Sequence, residues 1–113
     1  MSKRDEKIEL YIQEAKKLGL DLSDELIAKA TIALGPSIYN KDAETVACSQ
    51  PNELVTVKEN FLKKKLGLAS PESVLDSAIA SVCEQMGASN RNKYRALFYA
   101  LLAKYFAKES IFA

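Results

Sequence analysis

Three cations crowd the head of the last apolar-periodic stretch: Arg91, Lys93 and Arg95, within S-N-R-N-K-Y-R. The start of a helix carries the positive end of its dipole and several unbonded N–H groups. Exposed cations there are misplaced by roughly 0.3–1 kcal/mol each. Together with the free amides they form a place that favours an anion. Asn92 sits among them, and Asn40 and Lys41 hold the matching positions of an earlier G-x-S-x-x-N-K segment. These six residues are the candidate anion or partner site. Its anion is either internal, Asp42 or Glu44, or external: a phosphate, a carboxylate ligand or an acidic partner. Structural ion pairs are the commoner case, so the internal partner is the first expectation. On a helical wheel Lys93 points about 160° away from Arg95, so at most two of the three cations converge on one anion.

Other chemistries are excluded or poorly supported. The chain has no histidine, which removes Ser-His-Asp and Cys-His nucleophile activation and imidazole zinc sites. Cys48 and Cys83 belong to no C-x-x-C pattern; reduced, partly buried thiols acting as small hydrophobes are expected. No Gly-rich phosphate loop or Walker-type G-K-S/T occurs. Asp42 and Glu44 are two apart, and residues i and i+2 do not share a helix face. Leu34-Gly35-Pro36-Ser37-Ile38 resembles a helix-hairpin-helix but lacks its second glycine. No catalytic, metal-binding or cofactor-binding residue is expected, no cofactor is implied, and the chain reads as non-enzymatic.

The elements that would hold such a site are helical. Gly19, Gly35, Gly67 and Gly87 each follow an apolar-periodic segment, while Pro36, Pro51 and Pro71 fall at starts or just past ends. The spacing predicts a helix from Ser2 to Leu18 with Ile8, Tyr11, Ile12, Ala15 and Leu18 inside. Ser23 caps a second helix that Gly35-Pro36 ends, with Leu22 and Ile27 placed as a hydrophobic staple. A short helix of about two turns follows near Asp42–Cys48, then a long one from Pro51 to Leu66. Ser70 caps the next, with Pro71 at its first position, and Gly87 closes it. Ser89 opens the last helix, which runs to Phe106. Its bulky face carries Tyr94, Leu97, Phe98, Leu101, Leu102, Tyr105 and Phe106, and Ala96, Ala100, Ala103 and Ala107 lie opposite. Either the alanines are exposed and chosen for propensity, or a neighbour packs closely on them and the helix is central. Ile111 and Phe112 lie beyond it, to fold back on the core or to dock on a second subunit.

The expected fold is all-α: a compact bundle of about five main helices plus one short helix, with the C-terminal helix central. Two degenerate three-helix halves are a further reading. Lys16-Lys17-Leu18-Gly19-Leu20 matches Lys64-Lys65-Leu66-Gly67-Leu68, and Gly35–Lys41 matches Gly87–Lys93 as G-x-S-x-x-N-K. Independent convergence on helix caps explains part of each match. Residues 69–87 hold three acids and no base, and 88–113 hold five bases and one acid, so these segments are expected to face each other.

With 113 residues, 48% hydrophobic and 27% charged, the chain suits a single domain, 1–113. A net charge of +1 gives no bulk attraction to nucleic acid or membrane. No apolar run approaches the roughly 20 residues needed to cross a bilayer, and the start M-S-K-R-D-E-K-I-E-L has no signal-peptide h-region. A cytoplasmic, soluble protein is expected.

The strings G-P-S-I-Y-N-K-D-A-E-T-V at 35–46, N-F-L-K-K-K-L-G-L at 60–68 and S-N-R-N-K-Y-R-A-L-F-Y at 89–99 resemble a family of small bacterial proteins of unknown function. The resemblance implies a bacterial, stand-alone, soluble domain, and no activity, cofactor or catalytic residue. The function expected is therefore a small non-enzymatic binding or interaction module. An unknown protein partner and a homo-oligomer are both open, nucleic acid is not a favoured partner, and no membrane is involved. The alternative is phosphate or nucleic-acid binding through the basic start of the last helix.

Overall fold

A computed structural model describes residues 2–87, 89–90 and 92–112. Among them the chain forms six α-helices and no strand. They are α1 (Lys3–Leu18), α2 (Asp24–Leu34), α3 (Lys41–Glu44), α4 (Pro51–Thr56), α5 (Glu72–Gln85) and α6 (Arg95–Tyr105). Two 3-10 turns, Gly35–Tyr39 and Glu109–Phe112, extend α2 and fold the tail back.

The sequence signals for α1 and α2 act as expected. The Ser2 hydroxyl accepts the Asp5 amide at 3.2 Å, and that of Ser23 accepts the Leu26 amide at 3.1 Å. Each satisfies one of the donors a helix start leaves unpaired. Gly19 ends α1 in the left-handed region at φ 69°, and Leu20 N donates to Ala15 O at 2.9 Å.

The long helix expected from Pro51 is continuous but not α throughout. α4 passes into a π-helix over Val57–Lys65, closed by Leu66 N donating to Phe61 O at 2.8 Å. The apolar spacing explains the wider turn. Val57, Phe61, Leu62 and Leu66 are all buried. Spaced at about 100° per residue they would cover half the circumference. At the roughly 80° of an i→i+5 turn they fall in one narrow stripe facing the core.

α6 is the central element. Leu97, Phe98, Leu101 and Leu102 are buried, and so are Ala96, Ala100 and Ala103. The small face is thus packed against neighbours, which settles the choice left open by the sequence; only Ala107, beyond the helix, is exposed. α2 and α5 pack on α6. Phe112 returns to the core and lies over Phe61 at 6.1 Å between ring centroids, while Ile111 stays exposed. Phe61 in turn stacks on Tyr99 at 4.0 Å.

Four expectations need correction. The short helix stops at Glu44, because Thr45 turns extended and forms an isolated antiparallel bridge with Tyr94. α5 starts at Glu72 behind Pro71 with no side-chain cap, so Ser70 does not cap it. α6 starts at Arg95, not Ser89; the described part of the preceding segment is a turn held by Asn90. Two of the three acids of α5 do not pair with the C-terminal bases, while Glu84 lines a cleft with Lys93. Glu72 and Asp76 pair instead with Lys58 of the π-helix, at 2.8 and 3.0 Å, and Glu72 also with Lys63 at 2.5 Å.

The two G-x-S-x-x-N-K segments differ locally. In the first, Asn40 caps α3, its Oδ1 accepting the Asp42 amide at 2.9 Å. In the second, Asn90 does the equivalent work for the Asn92 amide at 2.9 Å, two positions before the aligned asparagine. Lys41 is exposed and Lys93 is buried.

Candidate functional site

The five candidate residues that are described do not converge on one anion. Asn40 is spent as a cap, and both it and Lys41 are exposed. Asn92 is exposed, and its amide is taken by Asn90. Arg91 lies outside the described residues. Lys93 and Arg95 are both well buried, in different surroundings.

Arg95 is an internal lock, 12% exposed at its side chain. Its Nε donates to Ala43 O at 2.7 Å and one terminal nitrogen to the Tyr99 hydroxyl at 2.9 Å. The other donates to Thr45 O at 3.2 Å and to the Glu53 carboxylate. The guanidinium also lies 5.5 Å from the centre of the Tyr99 ring. An internal carboxylate partner is therefore present, but it is Glu53 and not Asp42 or Glu44. Burial works against the Arg95 charge, and Tyr99 and Glu53 outweigh it, so its pKa is raised. The short helix α3 ends beside this group, and its terminal carbonyls, otherwise unpaired, accept the guanidinium's donors.

Glu44 has its own partners. It accepts from Lys7 and from the Tyr11 hydroxyl, both at 2.7 Å. Burial, reinforced by that bond and by the Glu44 charge, pushes the Tyr11 hydroxyl well up.

Lys93 is different. It is 6% exposed, and its ammonium donates to Asn90 O at 2.5 Å. Among the described residues no carboxylate pairs with it. A buried ammonium with one acceptor leaves two N–H donors and a whole charge to be met. Its backbone is fixed on both sides. Lys93 O accepts the Val46 amide at 2.8 Å, next to the Thr45–Tyr94 bridge. Asn90 organises the turn before it, donating from Nδ2 to Met86 O at 2.9 Å and from N to Gly87 O at 3.0 Å.

Two open clefts meet at Lys93. One, of about 480 Å³, is polar and lies between 46–49 on one side and Ser89, Asn90 and Lys93 on the other, with Ser49 in its wall. The other, of about 420 Å³, is more apolar and is lined by Leu54, Ala80, Cys83 and Glu84. Cys48, Ser49 and Lys93 line both. Cys48 and Cys83 are joined in a disulfide, with Cα atoms 6.1 Å apart, which corrects the expectation of two reduced thiols. The turn closed by Gln50 N donating to Ala47 O places Cys48 against α5; no motif spacing marks that approach.

Among the described residues no group of three or more histidine, cysteine or carboxylate side chains is placed to hold a metal ion. No described helix is long and apolar enough to cross a membrane.

A family model described as "Protein of unknown function (DUF2853)" matches residues 10–110, a range containing all three strings that carry the resemblance. The chain belongs to this family. A search of curated proteins found no match. The DUF2853 match covers both the Arg95 lock and the Lys93 clefts, so neither is an appendage to the family's domain.

Proposed function

We propose that residues 1–113 form a single non-enzymatic binding domain. Its site is the pair of clefts at Lys93, and its ligand is a small anion presented as a carboxylate or a phosphate. The observation that carries this reading is Lys93, 6% exposed as a residue, lining both clefts and without an ion-paired carboxylate among the described residues. An isolated buried charge costs several kcal/mol unless it is paired, and an anion entering the polar cleft supplies the pair. The Ser49 and Ser89 side chains line the same cleft and offer hydroxyl donors to the anion's remaining oxygens.

The earlier alternative, phosphate or nucleic acid at the first turn of α6, has less to work with. Arg95 gives its donors to Ala43, Thr45, Tyr99 and Glu53. Among the described residues that leaves Lys93, one charge and no surface for a polyanion.

The test is thermal melting in phosphate against sodium chloride at equal ionic strength, for the wild type and Lys93→Met. A ligand that binds the folded state raises the melting temperature with its concentration. The reading expects a phosphate-specific rise in the wild type and none in the variant. Equal melting temperatures in the two salts, or an unchanged rise in Lys93→Met, would sink it.

A further inference from the structure

The same clefts hold the disulfide, and here the sequence had pointed to inert thiols. Cys48 is only partly buried and lines both clefts, while Cys83, also partly buried, lines one. Lys93 lines both with it. A small molecule seated against Lys93 therefore lies in a cleft that Cys48 also lines. We propose that Cys48–Cys83 is a thiol–disulfide exchange site for low-molecular-weight thiols that carry a carboxylate, with Lys93 selecting the carboxylate. The selection rests on the anion-binding reading above; the exchange itself does not.

The chemistry balances with the thiol as the only co-reactant. A thiolate RS⁻ attacks the Cys48 sulfur; the Cys48–Cys83 bond breaks, and a Cys48–S–S–R mixed disulfide forms. Cys83 leaves as a thiolate and takes a proton from water. A second RS⁻ attacks the R-bearing sulfur, giving R–S–S–R and the Cys48 thiolate, which is protonated in turn. Two thiols are oxidised and the cystine gains two electrons and two protons. The reverse sequence re-forms the bond at the expense of a small disulfide. Exchange rates follow access and the identity of the sulfur attacked as well as thiolate supply, and Cys48 lines both clefts where Cys83 lines one.

Once the bond opens, the cysteine-bearing segment loses its tie to α5. Upstream it is held by the Val46–Lys93 hydrogen bond at 2.8 Å, and downstream by Gln50 N donating to Ala47 O at 3.0 Å. Ala47, Ser49 and Gln50 are exposed. The change is confined to one wall of the cleft, while the core around α6 stays as it is.

The experiment compares reduction by 3-mercaptopropionate with reduction by 2-mercaptoethanol. Rates are expressed per thiolate and read by mass spectrometry of alkylated protein. The wild type is expected to favour the anionic thiol, and Lys93→Met to lower that preference about fivefold or more, the scale of one partly screened charge contact. Lys93→Arg, which keeps the charge, is expected to restore it and guards against a folding defect. With the oxidised form of 3-mercaptopropionate, mixed disulfide is expected to form faster on Cys48 in Cys83→Ser than on Cys83 in Cys48→Ser; the reverse order overturns Cys48 as the sulfur attacked. A folded wild type whose disulfide resists both thiols overturns the proposal. Equal rates for both thiols, unaffected at Lys93, overturn the selection. Phosphate stabilisation that persists beside such equal rates removes the selection and leaves anion binding standing; loss of both removes both.

Discussion

Arg95 and Glu53 form an ion pair across 42 residues of sequence, and the same guanidinium holds the carbonyls of Ala43 and Thr45. One side chain thus joins the start of α6 to α4 and to the end of α3. Removing a single partner from a largely buried pair is costly, because the other charge is left unmet. Arg95→Gln is expected to lose about 2–4 kcal/mol of stability, discounted from the fully buried case. Glu53→Gln should lose less, since the carbonyls and Tyr99 remain. Urea melts of both variants and the double mutant measure the coupling. A loss below 1 kcal/mol for Arg95→Gln would mean the lock is not structural.

The disulfide closes a loop of 35 residues in sequence separation. A loop of that size constrains the unfolded chain by about 4 kcal/mol in the chain-entropy model, within the usual span of 2–4. Cys48→Ser with Cys83→Ser is therefore expected to lower the unfolding free energy from urea melts by that order while keeping a cooperative transition. The reason is that neither cysteine belongs to the fully buried core. Loss of cooperative unfolding would show that the bond holds the whole fold rather than one wall of a cleft.

Glu72 and Tyr11 are expected to make stability depend on pH. Hydrogen bonds from Lys58 and then Lys63 hold the Glu72 carboxyl at about 2, below its ordinary 4.5. Its contribution is present above pH 4.5 and is lost as pH falls toward 2. Glu72→Gln should flatten that limb, though Glu72 is exposed and the change is small. The Tyr11 hydroxyl is raised by burial, then by its bond to Glu44. Its contribution is present below the ordinary 10.0 and is lost as pH rises above it. Tyr11→Phe should lessen the alkaline fall. Urea midpoints from pH 2 to 11 test both; limbs unchanged by either substitution contradict the assignment.

Much of the fold was legible because its signals are local. Ser2, Ser23, Gly19 and the apolar spacing of α1 and α2 each act within one turn. The centrality of α6 was half legible: its two faces were plain, but burial of Ala96, Ala100 and Ala103 depends on which helices arrive. The π-helix was written in the spacing of Val57, Phe61, Leu62 and Leu66, and an α-helical wheel conceals it. The candidate site was legible only in part. Lys93 and Arg95 were singled out for the dipole at a helix start, yet what distinguishes them is long-range: Glu53 for one, and burial without a carboxylate for the other. Asn90 was missed in favour of Asn92, because a side chain that caps its own turn looks like any polar loop residue. The Cys48–Cys83 bond was missed because two thiols far apart in sequence carry no geometry.

Gly87 supports the Lys93 turn and gives a sharper test of it. It sits at φ 97°, and a Cβ there would lie 3.3 Å from the Asn90 Cβ. Gly19 also has positive φ, at 69°, but a Cβ would meet nothing within 4 Å. Replacement by alanine strains both backbones by about 1–2 kcal/mol, and only Gly87→Ala also pushes on Asn90. Gly87→Ala is therefore expected to cost more than Gly19→Ala and to weaken phosphate stabilisation. Equal costs with phosphate response intact would separate the turn from the site.

The central claim is that the buried Lys93 ammonium is completed by an anion. Amide chemical shifts followed while inorganic phosphate is titrated at constant ionic strength test it most directly. The account predicts saturable shifts at Val46, Ser49, Ser89, Asn90 and Lys93, which are absent in Lys93→Met. Shifts that do not saturate, or that persist undiminished in Lys93→Met, would contradict it.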